Sequence, residues 1–205
     1  MANAVALIDY GAGNLYSVHN ALRAVDADVI VTGDPDAVRG ADRIVLPGVG
    51  SFKACAKGLN TIPGMIDALE ERVRDGRVPF LGICVGMQLL ASYGLEHGET
   101  PGLGWIPGDV QLIEPQDRSI KVPHMGWNDV KLAGEHPVLK GGEAYFLHSY
   151  HFATEDPAHV AALTDHGGGL VAAVASGNVL GVQFHPEKSQ AYGLALLTRF
   201  LEWKP

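Results

Sequence analysis

Cysteine is scarce in this chain of 205 residues, which contains only Cys55 and Cys84. Two cysteines cannot form the disulfide framework of a small secreted domain, so we expect a reducing, cytoplasmic environment. The first residues, MANAVALIDYGAGN, have neither the basic region nor the cleavage site of a secretion signal. No apolar run approaches the roughly 20 residues that a membrane-spanning helix requires, so we expect no membrane association.

Basic residues are also few. The sequence has 15 Lys and Arg against 23 Asp and Glu, and its net charge is -8. Nucleic-acid binding depends on clustered Lys and Arg, and no such cluster occurs, so we expect no nucleic-acid partner. Internal repeats, low-complexity tracts and long Pro/Gly/Ser linkers are absent as well. These absences favour a single globular domain over residues 1–205.

Strand-like and helix-like segments alternate through the first half. Predicted strands occupy residues 4–9, 28–32, 43–47 and 78–83. Apolar residues at helical spacing lie between them: Leu15, Val18, Leu22 and Val25, and later Ile66, Leu69 and Val73. This alternation predicts a parallel sheet with helices on both faces.

The second half is mainly strand-like. Predicted strands occupy residues 109–113, 128–132, 144–152, 159–163, 170–175 and 179–184. A last helix carries Leu194, Leu197 and Leu201 on one side. The whole sequence therefore predicts an α/β fold with a mixed, mostly parallel sheet flanked by helices.

Cys84 stands between Gly82 and Gly86, where the fourth predicted strand ends and a helix over residues 85–92 is predicted. The glycines permit a sharp turn like the G-x-S-x-G nucleophile elbow, with sulfur in place of oxygen. A helix N-terminus after the cysteine favours the thiolate. A buried structural cysteine is the alternative, and this segment alone does not exclude it.

The segment GVQFHPEKS, residues 181–189, provides a candidate base for that thiol. In an extended chain, His185 and Glu187 project to the same side, and Pro186 keeps the link between them extended. Glu187 would then orient the imidazole while His185 accepts the thiol proton. A solvated loop is the alternative, but together with Cys84 the segment favours a catalytic triad.

The segment LPGVGSF, residues 46–52, follows the third predicted strand. Its two glycines tolerate positive φ and so make rotation of a peptide unit inexpensive. The amide of Val85, with that of Val49 or Gly50, would form an oxyanion hole for a tetrahedral intermediate. A routine strand-to-helix turn is the alternative.

Several other motifs are incomplete. GAGNLY at 11–16 has Tyr16 where a dinucleotide-binding fingerprint needs its third glycine, and no P-loop occurs. HGGG at 166–169 lacks a G-x-S-x-G partner. His148 and His151 lack the neighbouring Cys or carboxylate of a zinc site. We therefore expect neither a metal nor a cofactor.

Taken together, LGICVGMQ and FHPE resemble the class I, or triad, glutamine amidotransferases, which have a flavodoxin-like fold. A closer resemblance is to the glutaminase subunits of imidazole glycerol phosphate synthases, and it extends over the chain without a large insertion. It is carried by IDYGAGNLYSV (8–18), LPGVGSF (46–52), VPHMGWN (122–128), YFLHSYHF (145–152) and GVQFHPEKS (181–189). One small departure is His151, where that family more often has Tyr.

This resemblance implies the hydrolysis of glutamine to glutamate and ammonia. The implied catalytic residues are Cys84, which forms a γ-glutamyl thioester, His185, which moves the proton, and Glu187, which orients His185. The implied glutamine contacts are Gln88 and the backbone of Ser149 and Tyr150. The implied partner is a (β/α)₈-barrel cyclase, which forms a heterodimer with this chain and receives the ammonia in histidine biosynthesis. We expect the chain alone to rest with an incomplete oxyanion hole.

The face expected to dock the cyclase includes the mouth of the site. The candidate residues are Tyr10, Asn14, Met125, Trp127 and Lys188. Met125 and Trp127 are equally compatible with a place in the core. Three other functions stay open: a different cysteine hydrolase, a binding module without catalysis, and an amidotransferase that serves another acceptor, such as pyridoxal phosphate synthesis.

Overall fold

Thirteen strands and six α-helices are found in the computed structural model, which describes residues 4–117 and 119–205. The strands are β1 (Ala4–Ile8), β2 (Asp28–Thr32), β3 (Arg43–Gly48), β4 (Phe80–Cys84), β5 (Tyr93–Gly94), β6 (Thr100–Pro101), β7 (Gly108–Leu112), β8 (His124–Leu132), β9 (Gly142–His148), β10 (Tyr150–Thr154), β11 (Val160–Asp165), β12 (Gly169–Ser176) and β13 (Val179–Val182). The α-helices are α1 (Leu15–Arg23), α2 (Pro35–Gly40), α3 (Phe52–Asn60), α4 (Met65–Leu69), α5 (Val85–Gln88) and α6 (Gln190–Glu202). A π-helical segment, Glu70–Asp75, continues α4, and short 3₁₀ turns span Pro157–His159 and Pro186–Lys188.

Nine of these strands form one mixed sheet in the order β2-β1-β3-β4-β13-β12-β11-β8-β9. Within this order, the first five strands (β2, β1, β3, β4 and β13) pair in parallel with their neighbours. The pairs that follow, from β13 through β12, β11 and β8 to β9, are antiparallel. A smaller sheet has the order β10-β7-β5-β6. The predicted α/β fold with a mixed sheet is confirmed, although parallel pairing accounts for only half of the large sheet.

The central strands are buried on both faces. Every residue of β3 and β4 is buried, as expected for parallel strands covered by helices on each side. The helix α1 buries Val18 and Leu22 from its predicted apolar stripe. These elements join a single cluster of buried apolar side chains that reaches from β1 to α6. The cluster fixes the carboxyl ends of β3, β4 and β13 side by side.

Two predicted elements differ in the structure. The helix predicted over residues 85–92 ends at Gln88, because the carbonyls of Leu89 and Ala91 accept hydrogen bonds from Leu103 and Gly104. The strand predicted over 144–152 is interrupted at Ser149, so that β9 joins the large sheet and β10 joins the small one. The apolar pattern runs through this break and therefore did not reveal it.

None of the helices in the described part of the chain combines the length and the apolar character needed to cross a membrane.

Candidate functional site

Cys84 is the last residue of β4 and directly precedes α5. Its φ of 54° and ψ of -112° lie in a region that residues other than glycine rarely adopt. The flanking glycines are required by packing. A Cβ on Gly86 would lie 1.9 Å from the Leu46 carbonyl oxygen, and one on Gly82 would lie 2.6 Å from the Gly86 oxygen. The predicted sharp turn between strand and helix is confirmed, with a strained backbone at the cysteine.

His185 lies just beyond the end of β13, the parallel neighbour of β4. Because Val182 is in register with Ile83, the chain continues from both strands at the same edge of the sheet. His185 Nδ1 is 2.8 Å from Glu187 Oε1, and both side chains are almost completely buried. The predicted pairing of imidazole and carboxylate is therefore confirmed.

The backbone between these two residues is not extended as predicted. Residues Pro186–Lys188 form a 3₁₀ turn, and the Lys188 amide donates to the His185 carbonyl. Pro186 occupies the first position of that turn, where its missing N–H costs nothing. The turn, rather than strand alternation, folds the Glu187 carboxylate back onto the imidazole.

The surroundings of His185 favour its charged form. Burial lowers the pKa of the imidazole, but hydrogen bonds with Cys84 and Glu187, and the charges of those groups, more than offset burial and raise it to about 9. Near neutral pH the ring therefore carries a proton next to the sulfur. A cysteine beside an imidazolium is well placed to act as a nucleophile.

The loop after β3 borders the sulfur because Gly48 is in register with Cys84. Gly50 has a φ of 98°, which suits glycine. The carbonyls on either side of Gly48 are held by buried donors. The Tyr10 hydroxyl donates to the Pro47 oxygen at 2.6 Å, and the Cys55 thiol donates to the Val49 oxygen at 3.5 Å. Both ends of this short loop are thus anchored.

A cavity of about 170 Å³ opens beside Cys84. It is lined by Val49, Gly50, Cys84, Val85, Gln88, Glu96, Leu147, His148, Ser149, Tyr150, His185 and Lys188. The structure therefore brings together the predicted nucleophile and base, the three predicted oxyanion residues and the three predicted glutamine contacts. The predicted orienting residue, Glu187, contacts the base from behind the cavity wall.

Two side chains at this site were missed from the sequence. Gln183 is fully buried, and its Nε2 lies 3.7 Å from Cys84 Sγ. A single amide within the apolar run VLGVQF was a signal that could have found it. Glu96 places a carboxylate at the cavity, where Oε2 accepts a hydrogen bond from the Phe52 amide at 2.9 Å. Its loop position offered no comparable signal.

The sequence profile of the glutamine amidotransferase class-I family matches residues 6–202. The chain belongs to this family. The HisH subunit of imidazole glycerol phosphate synthase from Zymomonas mobilis is 57% identical to it, over 100% of this chain and 98% of its own length. The HisH subunit from Rhodopseudomonas palustris is 52% identical, over 98% of this chain and 99% of its own length. A solved glutamine amidotransferase, 22% identical over 97% of both chains, shares the fold with a TM-score of 0.76. The family resemblance seen in the motifs is confirmed.

In this class-I family member, four of the five predicted docking residues are accessible. Met125 and Trp127 on β8 are 65% and 47% exposed, so their alternative place in the core is wrong. Lys188 is exposed above the Tyr145 ring, and Asn14 is half-buried.

The fifth prediction, Tyr10, was wrong as a surface anchor. Tyr10 is buried, with only 6% of its surface exposed. Burial, together with the charge and hydrogen bond of Cys55, raises the pKa of Tyr10 far above its usual range. Its aromatic ring joins the core, and its hydroxyl supports the loop after β3.

Proposed function

We propose that this chain is the glutaminase subunit of an imidazole glycerol phosphate synthase in histidine biosynthesis. It hydrolyses glutamine to glutamate and ammonia, and it passes the ammonia to a (β/α)₈-barrel cyclase subunit. The single observation that carries the proposal is the convergence of Cys84, His185 and Glu187 at one edge of the sheet. The near full-length similarity to HisH subunits supports the choice of this synthase among the family's activities.

In the proposed reaction, the Cys84 sulfur attacks the side-chain carboxamide carbon of glutamine. The tetrahedral adduct collapses when the C–N bond breaks and His185 gives its proton to the departing nitrogen, which leaves as ammonia. His185 then takes a proton from water as that water attacks the thioester, and glutamate leaves with the thiol restored. Glu187 holds the imidazole in position throughout.

The cavity composition supports an amino acid as the substrate. About 170 Å³ suits one small molecule, and Glu96 is the carboxylate on its wall. We propose that Glu96 binds the α-ammonium group of glutamine, while Gln88 and the backbone of Ser149 and Tyr150 complete the contacts.

We propose that Val85 and either Val49 or Gly50 donate the amides that stabilise the oxyanion. The anchored carbonyls of Pro47 and Val49 support a rotation confined to the peptide unit between Gly48 and Val49. Such a rotation, triggered by the cyclase, would complete the hole only in the complex and limit wasteful hydrolysis.

The proposed docking face surrounds the cavity mouth. Leu147 and Lys188 line the cavity, and the exposed Met125 and Trp127 lie on β8 beside the strand that carries Leu147. Exposed Trp and Met side chains are typical anchors of protein interfaces. A cyclase seated here would cover the mouth and shield ammonia from bulk water, which supports a heterodimer.

We further propose that residues 1–205 act as one domain in the cytoplasm. A single buried cluster that reaches from β1 to α6 supports one domain. The biosynthetic role of the relatives and the two free cysteines support a reducing compartment.

The test is a glutaminase assay of the purified chain with and without a cyclase barrel and its ribonucleotide substrate. We expect ammonia release to depend on the cyclase and to be abolished by Cys84→Ala. An electrophilic glutamine analogue should add covalently to Cys84 and not to Cys55, as shown by mass spectrometry of the peptides. Activity in the Cys84→Ala variant, or an adduct at another residue, would refute the proposal.

A further inference from the structure

Gln183 occupies the position next to the sulfur on the neighbouring strand. The register of β13 and β4 pairs Val182 with Ile83, so one residue further along each strand Gln183 comes beside Cys84. The Gln183 side chain is completely buried. A buried amide must find hydrogen-bond partners within the protein, because leaving its polar atoms unpaired is costly.

Both ends of the Gln183 amide have partners at the site. Gln183 Oε1 lies 3.0 Å from Gln88 Nε2, and Gln183 Nε2 lies 3.7 Å from Cys84 Sγ, within reach of a hydrogen bond to sulfur. This amide thus joins the nucleophile to Gln88, one of the proposed glutamine contacts.

The direction of these hydrogen bonds follows from the Tyr150 carbonyl, which can only accept. Gln88 Nε2 lies 3.0 Å from that oxygen and must therefore be the donating end of its amide. The same nitrogen also faces Gln183, so Gln183 must present its oxygen there. The Gln183 N–H group is consequently turned toward the sulfur of Cys84 and not away from it.

The Tyr150 carbonyl is itself held by a second donor. His148 Nδ1 lies 2.8 Å from it and must donate. Burial lowers the pKa of His148 to about 3 and that of His124 to about 4, so both rings are neutral. His148 Nε2 then accepts from His124 Nδ1 at 2.9 Å, and His124 Nε2 accepts from Asn128 Nδ2 at 3.0 Å. These hydrogen bonds hold the Tyr150 carbonyl, whose role as an acceptor fixes the polarity of the Gln88 and Gln183 amides.

We propose that Gln183 is a catalytic residue that donates a hydrogen bond from Nε2 to the Cys84 thiolate. The inference rests on the proposed glutaminase function and adds a second donor at the sulfur, beside the protonated His185. A hydrogen bond to a charged acceptor is stronger than one to a neutral acceptor, so it favours the thiolate over the thiol. The same amide sets the position of Gln88 relative to the nucleophile.

The test measures the rate at which iodoacetamide alkylates Cys84 as a function of pH, with the modified peptide quantified by mass spectrometry. Gln183→Met keeps the length and buried character of the side chain but removes the donor. We expect the midpoint of its pH-rate profile to lie about one pH unit higher than in the wild type, so that alkylation at pH values well below both midpoints is about tenfold slower. Gln183→Glu should shift the midpoint upward as well, because a carboxylate repels the thiolate.

The matched control is Gln111→Met, which changes an exposed glutamine on β7 and should leave the profile unchanged. Circular dichroism establishes that each variant is folded, and Gln183→Glu decides the question if Gln183→Met does not fold. A folded Gln183 variant with the wild-type profile would overturn the role of Gln183. That outcome leaves the glutaminase function intact, since turnover with the cyclase is measured separately and alkylation needs neither glutamine nor a partner.

Discussion

Lowering the pH from 7.5 to 5.5 should destabilise the folded chain through one buried pair of histidines. His124 and His148 are 3% and 7% exposed, and their rings share a hydrogen bond of 2.9 Å. Burial is the main cause that lowers both pKa values, to about 4 for His124 and about 3 for His148. Neither imidazole is therefore expected to take up a proton in the folded state at pH 5.5.

The size of the effect follows from the difference between the folded and unfolded states. In the unfolded chain a histidine titrates near pH 6.5, at about its reference pKa. Because both folded pKa values are lower, the unfolded state gains protons that the folded state does not, and the free energy of unfolding falls as the pH falls. Over this interval each histidine contributes about 1.4 kcal/mol, or about 2.7 kcal/mol for the pair.

His185 acts in the opposite direction. Its folded pKa is raised to about 9, so its stabilising contribution is complete below the unfolded pKa and is lost as the pH rises through 9. Between pH 7.5 and 5.5 this contribution grows by about 1.4 kcal/mol. The pair must therefore be isolated by comparing the wild type with a variant that keeps His185.

The variant replaces both histidines by phenylalanine. The Tyr150 carbonyl still accepts from Gln88, and Asn128 still donates to the Asp165 carbonyl at 2.8 Å, so no buried partner is left without a hydrogen bond. Urea unfolding at the two pH values should show the wild type losing about 2.7 kcal/mol more than the variant.

Phe146→Leu provides the control for this measurement. Phe146 stacks on His124 with ring centroids 4.6 Å apart and does not titrate, so the substitution should lower stability equally at both pH values. If the wild type and the double variant instead lost the same free energy between pH 7.5 and 5.5, the two histidines would not be neutral in the folded state. The direction assigned to the hydrogen bond between His124 and His148 would then be wrong as well, whereas the Tyr150 carbonyl would still accept.

Three further substitutions test the site. The Cβ added by Gly50→Ala would meet no atom within 4 Å, but alanine is strained at a φ of 98°. The variant should therefore lose about 1–2 kcal/mol of unfolding free energy, measured in urea, and should release less ammonia in the presence of the cyclase. Gly86→Ala would place a Cβ 1.9 Å from a backbone oxygen, so its free energy of unfolding should fall by at least about 2 kcal/mol. Glu187→Gln removes the charge beside His185 and should lower the His185 pKa below about 9, as followed by NMR titration of the imidazole.

Matched controls separate the site effects from general strain. Gly177→Ala is also strained, at a φ of 57° in open space, and should lower stability without reducing ammonia release. Gly40→Ala meets no neighbour within 4 Å and should leave stability nearly unchanged, in contrast to Gly86→Ala. Full activity in Gly50→Ala would argue against a part for the Gly50 amide in the oxyanion hole. An unchanged His185 titration in Glu187→Gln would mean that the carboxylate does not set the charge of the ring.

The sequence alone determined which segments are buried and where the candidate nucleophile lies. The apolar runs of β1, β3 and β4 and the stripe of α1 were predicted within a few residues, because local burial leaves a periodic pattern in the sequence. Cys84 and His185 were found because turn-forming residues mark the ends of their strands. Such signals are local, and they survive without knowledge of which elements are neighbours.

Only the tertiary structure decided which groups meet. The 3₁₀ turn that carries Glu187, the buried position of Tyr10 and the contact of Gln183 with Cys84 all depend on packing between distant segments. A side-chain amide has the same local signature whether it faces a sulfur, a carbonyl or water. Its role is set by the register of β13 on β4 and by the direction of hydrogen bonds across several elements, which no single segment of sequence contains.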